Sequence, residues 1–272
     1  MGVVRCDGTP VVVRNEKISR EEQNRRLKVD GIKVRAIVCG AQDYKESDKL
    51  VTLCSVEEGK ISVLLKGCRK PTSKLRFACA PFCFGEYVLV EKGGYYTVTG
   101  CTPIEQFTSL SSDIDRFYAG NVMLEALRKL TREGENVARQ VACVLDALKT
   151  LCYEESSVAL VLIKFLCSFL KTSGYALDFS KCNVCRTENM SKRYFSYEHG
   201  GLVCGICAGR NCEIMSGQAT GVFRAILKDT PLSVMRFEDN VLRECLTLLG
   251  GYVTNLFGFR LNSLIQYLDI SK

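Results

Sequence analysis

From Ile32 onward, apolar and polar residues alternate with period two through Ile32-Lys33-Val34-Arg35-Ala36-Ile37-Val38. Such alternation places one set of side chains on each face of a strand. A second run, Leu50 to Cys54, is followed by the turn Glu57-Glu58-Gly59 and a third run, Ile61 to Leu65. Tyr87 to Val90, the Gly93-Gly94 turn and Tyr95 to Val98 make a further hairpin. Five strands within about 70 residues, at this turn spacing, predict a small barrel. An OB-fold leads, and a five-stranded SH3-type barrel is the alternative.

After Pro103 the period becomes helical. Ser112 or Asp113 caps a helix bearing Phe117, Met123, Leu124, Leu127 and Leu130, which Gly134 ends. Val137 to Leu151 forms a second helix. Val158 to Leu170 forms a third, apolar nearly all round and therefore central in a bundle. Helical periodicity resumes over Gly217 to Leu227 and over Val241 to Phe257, with an extension to Leu268. The fold class is α+β: an N-terminal five-stranded OB barrel, then an α-helical domain with an inserted four-cysteine zinc module. The divisions are an extension at 1–29, the barrel at 30–108, helices at 109–178, the module at 179–213 and helices at 214–272. Residues 1–29, low in large apolar side chains, read as a flexible arm or a short exposed helix.

The inserted module carries the sharpest chemistry. Cys182, Cys185, Cys204 and Cys207 read C-x2-C-x18-C-x2-C. Each close pair offers two thiolates, and the loop between them returns the second pair to complete a tetrahedron suited to structural zinc. With four thiolates present, His199, the single histidine, reads as a loop residue and leaves no histidine for a nucleophilic pair. The chain holds 16 cysteines, but without an export signal or a spanning segment they predict free thiols in a reducing cytoplasm. Cys79 and Cys83 resemble a second metal half-site without a partner pair.

Net charge is +7 over 272 residues. Residues 1–108 hold 18 Lys and Arg against 13 Asp and Glu, so the excess lies toward the N-terminal end and points to a polyanion. Lys66, Arg69, Lys70, Lys74 and Arg76 fall in one stretch with no acid, on a loop leaving the third strand. On a barrel such a loop offers cations, hydroxyls and amides to phosphates. Lys33, Arg35, Lys45, Lys49 and Lys60 extend the patch as far as strand phase allows. Tyr44, in a polar loop, is the best candidate for base stacking, ahead of Phe77, Tyr95 and Tyr96. Asp43, Glu46 and Asp48, interleaved with Lys45 and Lys49, predict a loop of salt bridges. Arg128, Lys129 and Arg132 close the first helix and favour its C-terminus, or grip an acidic, hydrophobic peptide tail. No GxxxxGK[ST] phosphate loop and no active-site constellation occurs.

The stretch Asp43 to Leu53, Gly59-Lys60-Ile61, Lys66-Gly67 and Ser73 resembles the N-terminal signature of the bacterial recombination mediator family RecO. Gly174-Tyr175, Cys182-Asn183-Val184-Cys185, Phe195-Ser196, Gly200-Gly201 and Cys204-Gly205-Ile206-Cys207 are similar to that family's pattern around its zinc module. The resemblance runs over residues 30–270. It implies a non-enzymatic mediator of DNA repair, at the nucleoid during repair, that binds single- and double-stranded DNA and anneals complementary strands. It also implies partnership with RecR and with the C-terminal tail of single-stranded DNA-binding protein, loading of RecA onto DNA, and no membrane. The alternative is a zinc-containing adaptor with little DNA affinity of its own.

Overall fold

The alternating residues Val34, Ala36 and Val38 turn inward and Lys33 and Arg35 outward on β1 (Ile32–Tyr44). In the computed structural model, which describes residues 31–271, this strand opens a closed five-stranded barrel. The expectation for residues 1–29 lies outside the described residues. The other strands are β2 (Asp48–Ser55), β3 (Gly59–Leu65), β4 (Phe84–Lys92) and β5 (Tyr95–Glu105), in the order β1-β2-β3-β5-β4. All pairings are antiparallel except β3 with β5, where Val63 faces Tyr96 and Leu64 faces Thr97. Val51, Leu53, Val63, Leu65, Tyr87, Leu89 and Val98 fill the interior with the inward residues of β1. This is the OB-type barrel that the period-two runs predict.

Two strands run longer than their apolar pattern. β5 continues past Val98 to Glu105, paired with β4. β1 continues through Gly40 to Tyr44, past a register shift between Val38 and Gly40, and pairs there with β2 down to Asp48. Tyr44 therefore ends a strand and does not lie in a loop. The backbone ladder holds this ribbon together without an apolar face.

Six α-helices follow among the described residues: α1 (Ile114–Leu130), α2 (Ala138–Tyr153), α3 (Val158–Thr172), α4 (Gly217–Leu227), α5 (Asp239–Phe257) and α6 (Asn262–Ile270). Asp113 caps α1 by accepting from the Arg116 amide at 3.0 Å. The helix stops at Thr131, before Gly134, because Thr131 is extended and its hydroxyl bonds back to the Leu127 carbonyl. The expected last helix is two. Gly258 adopts φ 75°, a left-handed conformation that ends α5 and that glycine accepts without a Cβ clash. α3 is buried along most of its length, as its apolar sequence requires.

Outward residues Ile37, Cys39 and Cys54 of β1 and β2 are buried in the same cluster as α1 and α2. Large aliphatic side chains stabilise by roughly 1.5–3 kcal/mol each when buried, so this seam joins barrel and helices into one packed body. Between α3 and α4 lies a three-stranded sheet, β6 (Arg193–Ser196), β7 (Gly201–Cys204) and β8 (Cys212–Ile214), in the order β7-β6-β8. Phe179, Phe195 and Phe223 carry the helical core into it, with the rings of Phe179 and Phe223 stacked at 4.2 Å. Among the described residues, no helix is long and apolar enough to cross a membrane.

Candidate metal centre and nucleic-acid interface

The four cysteines meet because two turns are set side by side. Asn183 donates its amide to Leu202 and its side chain to the carbonyls of Asp178 and His199, binding the first turn to the hairpin that carries the second. Gly201 permits this approach: a Cβ there would lie 2.1 Å from the Asp178 carbonyl oxygen. The Sγ atoms of Cys182, Cys185, Cys204 and Cys207 then lie within 4.8 Å of one another. A tetrahedral ion with bonds of about 2.3 Å to sulfur separates its ligands by about 3.8 Å, and the Cys185 and Cys204 sulfurs stand 3.7 Å apart.

The donor chemistry fits a cation as well. Burial opposes ionisation of Cys182, but the amides of Cys185, Cys204 and Val184 point at its sulfur and bring its thiol down to about 6. The Cys207 amide, ahead of burial, holds Cys204 below the usual thiol value. Burial, and then the three neighbouring sulfurs, push Cys207 up to about 12. Four thiols crowded around amides aimed at sulfur are the arrangement a bound cation resolves. Among the described residues this is the one metal-capable group of three or more such side chains; His199, Cys79 and Cys83 are outside it. Cys79 neighbours Cys68, and Cys83 neighbours Cys101.

The basic loop is built on a fixed base. Cys68, Ala78 and Cys79 sink into the barrel interior, and Tyr87 donates from inside to the Ala78 carbonyl at 3.0 Å. Asp48 accepts from the Gly67 amide at 2.7 Å, and the Arg69 amide donates to Ser47 at 3.0 Å. The loop is thereby fastened to the β1–β2 turn while its side chains face solvent. Lys66, Lys70, Lys74 and Arg76 are exposed and form no ion pair with a described residue. Arg69 differs, because it contacts Asp43 at 3.1 Å. Lys49 also binds Asp43, at 3.0 Å, and this contact first, with Arg69 behind it, holds the Asp43 carboxyl below the usual range. Of the acidic cluster, Asp43 alone forms salt bridges among the described residues, to Lys49 and Arg69, whereas Asp48 accepts from the Gly67 amide and the Ser47 hydroxyl. Lys45 lies 5.3 Å from the Tyr44 ring centroid.

Other sequence candidates sit elsewhere. Lys33 pairs with Glu86, and Arg35 grips Glu57 through both its amide and its Nε at 2.8 Å. Burial pushes the Glu57 carboxyl up, but Arg35 outweighs it and the net direction is down. Lys33 and Arg35 stand eleven and nine residues before Tyr44 on β1, and both are engaged by carboxylates away from the loop. Lys60 leaves the patch too: its ammonium caps α1 through the carbonyls of Thr131, at 2.6 Å, and Arg128, at 3.1 Å. Tyr95 is 75% exposed on the β4–β5 hairpin.

On the helices, Lys129 binds the Glu125 carboxylate at 2.8 Å, donates to the Arg260 carbonyl and lies over the Phe259 ring. Arg128 lies along Gly40 of β1, and Arg132 is exposed. Glu125 is 5% exposed and accepts the amides of Asn262 and Ser263, so α1 supplies the N-terminal anion for α6. Burial raises the Glu125 carboxyl, and Lys129 with these amides overcomes that and lowers it. Sequence reasoning missed Glu125 and the capping role of Lys60. Their partners are distant in the chain, and no local pattern announces them.

Comparison with known proteins gives a consistent result. Residues 30–107 match the family model for the N-terminal part of Recombination protein O, and residues 111–265 match that for its C-terminal part. The chain is 28% identical over 247 residues to the "DNA repair protein RecO" of Clostridium novyi, covering 88% of this chain and 95% of that one. It is 30% identical over 225 residues to the protein of the same name in Streptomyces coelicolor, covering 80% and 90%.

Proposed function

This chain belongs to the RecO family of DNA repair proteins, and from that premise we propose that it is a recombination mediator that binds single- and double-stranded DNA and anneals complementary strands. The observation that carries the reading is the basic loop: four cations without ion-pair partners among the described residues, on an anchored segment of an OB-type barrel. Lys66, Lys70, Lys74 and Arg76 neutralise phosphates, with Arg69 and Tyr44 beside them. Binding of this kind is tolerant of sequence and sensitive to salt. Neutralising two strands together reduces their repulsion and favours pairing.

The mediator role extends to partners: RecR, the acidic tail of single-stranded DNA-binding protein, and RecA, which the complex helps load onto coated DNA. Arg128 and Arg132 are the cations available near the α1 terminus for an acidic tail, since Lys129 is held by Glu125. The four-cysteine centre holds zinc in a structural role, a reading supported by its all-sulfur donor set and tetrahedral spacing. Cys204→Ser should lower zinc content and thermal stability together.

The test is annealing of complementary oligonucleotides coated with the cognate single-stranded DNA-binding protein. The expected result is faster annealing with this chain, fading as salt rises. No acceleration by folded, metal-loaded protein overturns the mediator reading and favours an adaptor with little DNA affinity.

A further inference from the structure

Beside the basic loop, where the barrel meets α1, lies a cavity of about 190 Å³. It is smaller than the roughly 300–1000 Å³ typical of small-molecule pockets. That is room for one planar ring and little else. The walls are aromatic: Phe77, Phe82 and Phe117 line it, with Phe82 and Phe117 edge to face at 5.8 Å. Gly120 of α1 makes space for Phe82, since a Cβ there would stand 2.8 Å from the ring. Gln106, Thr108 and Ser111 supply the polar rim. None of their side chains has a hydrogen-bond partner among the described residues.

Two further features single out this seam. Phe82 and Phe107, which flank it, have φ of 66° and 47°, a left-handed backbone that bulky residues rarely adopt. Their buried rings hold that conformation in place. Arg76 immediately precedes Phe77 in a 3-10 turn, and Lys74 lies just upstream; both are exposed. A phosphate held by these cations sets its own base within reach of the aromatic wall.

We propose that this cavity receives one unstacked nucleobase of single-stranded DNA. The inference rests on the DNA-binding reading above and adds a base site to its phosphate site. The base enters from a strand tracked by Lys74 and Arg76, packs against Phe77, and meets the amide of Gln106 and the hydroxyls of Thr108 and Ser111 with its polar edge. A single-stranded or frayed nucleotide enters more readily than a paired one, because unpairing costs free energy. The pocket therefore gives preference for single strands, which the cations alone do not.

The experiment compares full-length, metal-loaded protein on two oligonucleotides of equal length, one of thymidines and one of abasic sugar-phosphate, by fluorescence anisotropy. The abasic strand reads phosphate contacts, and the ratio of affinities reads the base site. Base–aromatic stacking is worth about tenfold or more in affinity per base, so wild type should prefer the thymidine strand by about that factor. Ser111→Trp, at the exposed rim, should fill the cavity and bring the ratio to about one with abasic affinity intact. Phe77→Ala should act likewise, provided it folds. An unchanged ratio in Ser111→Trp overturns the base site and leaves the phosphate reading standing. Failure of wild type to bind either strand overturns both.

Discussion

The barrel carries two groups of cations that composition cannot tell apart. Lys33, Arg35 and Lys60, on β1 and β3, are each engaged by a carboxylate or by helix carbonyls. Lys66, Lys70, Lys74 and Arg76, on the loop after β3, have no such partner among the described residues. The first group braces the fold; the second is open to an external anion. Strand register decides the difference. Arg35 sits opposite Glu86 and reaches Glu57 in the β2–β3 turn, whereas the loop from Lys66 to Arg76 contains no acid and meets the acidic β1–β2 turn only through its backbone and Arg69.

The helical domain repeats the first kind of cation in Lys129, half-buried against a buried carboxylate, and disturbing that pair should have the largest effect. Glu125→Ala strands Lys129 and uncaps α6, at a cost of roughly 3 kcal/mol, measurable by urea denaturation. Since the folded carboxyl of Glu125 is depressed, its contribution is complete above the unfolded value and fades as pH falls through the lower folded value. The stability difference between wild type and Glu125→Gln should therefore shrink on acidification below about pH 4.3. A difference that stays constant however far the pH is lowered below about 4.3 would contradict the ion-pair account.

Next comes the open group. Reversing Lys66, Lys70 and Lys74 to Glu should weaken single-strand affinity on the order of 100-fold at low salt. It should also flatten the slope of log K against log salt by about 2, at about 0.7 per phosphate contact. The melting temperature should stay within a degree or so, because these side chains hold nothing together. Lys60→Met should do the reverse: about 1–2 kcal/mol less stable, from lost bonds to the α1 carbonyls, with DNA affinity retained. Arg35→Ala, which breaks an exposed pair, should cost under about 1 kcal/mol and leave the salt slope unchanged. A large loss of DNA binding in Arg35→Ala would erase the distinction between the two groups.

What the sequence revealed followed from how locally each feature is encoded. The four-cysteine centre was legible because its ligands come in pairs at fixed spacing, and the two turns need only meet. The strands were legible where one face is buried, as in Val34, Ala36 and Val38, and illegible from Gly40 to Tyr44, where both faces are exposed or half-exposed. The helix boundary at Gly258 carried a signal in its glycine, but apolar periodicity on both sides concealed it. The end of α1 depended on Thr131 and on Lys60, which lies 71 residues upstream. The aromatic cavity was hidden for the same reason: Phe77, Gln106 and Phe117 come from separate segments that only the seam between barrel and α1 brings together.

The carboxylate of Glu125 also bears on how the chain is made. Its acceptors are filled by amides 137 and 138 residues later. At roughly 5–20 residues per second, those amides are synthesised on the order of 7–27 s after Glu125 itself. Until then the groove along α1 holds an anion with only Lys129 beside it, and water must stay there. That groove thus stays wet until α6 arrives and closes it, as a door that is hung last.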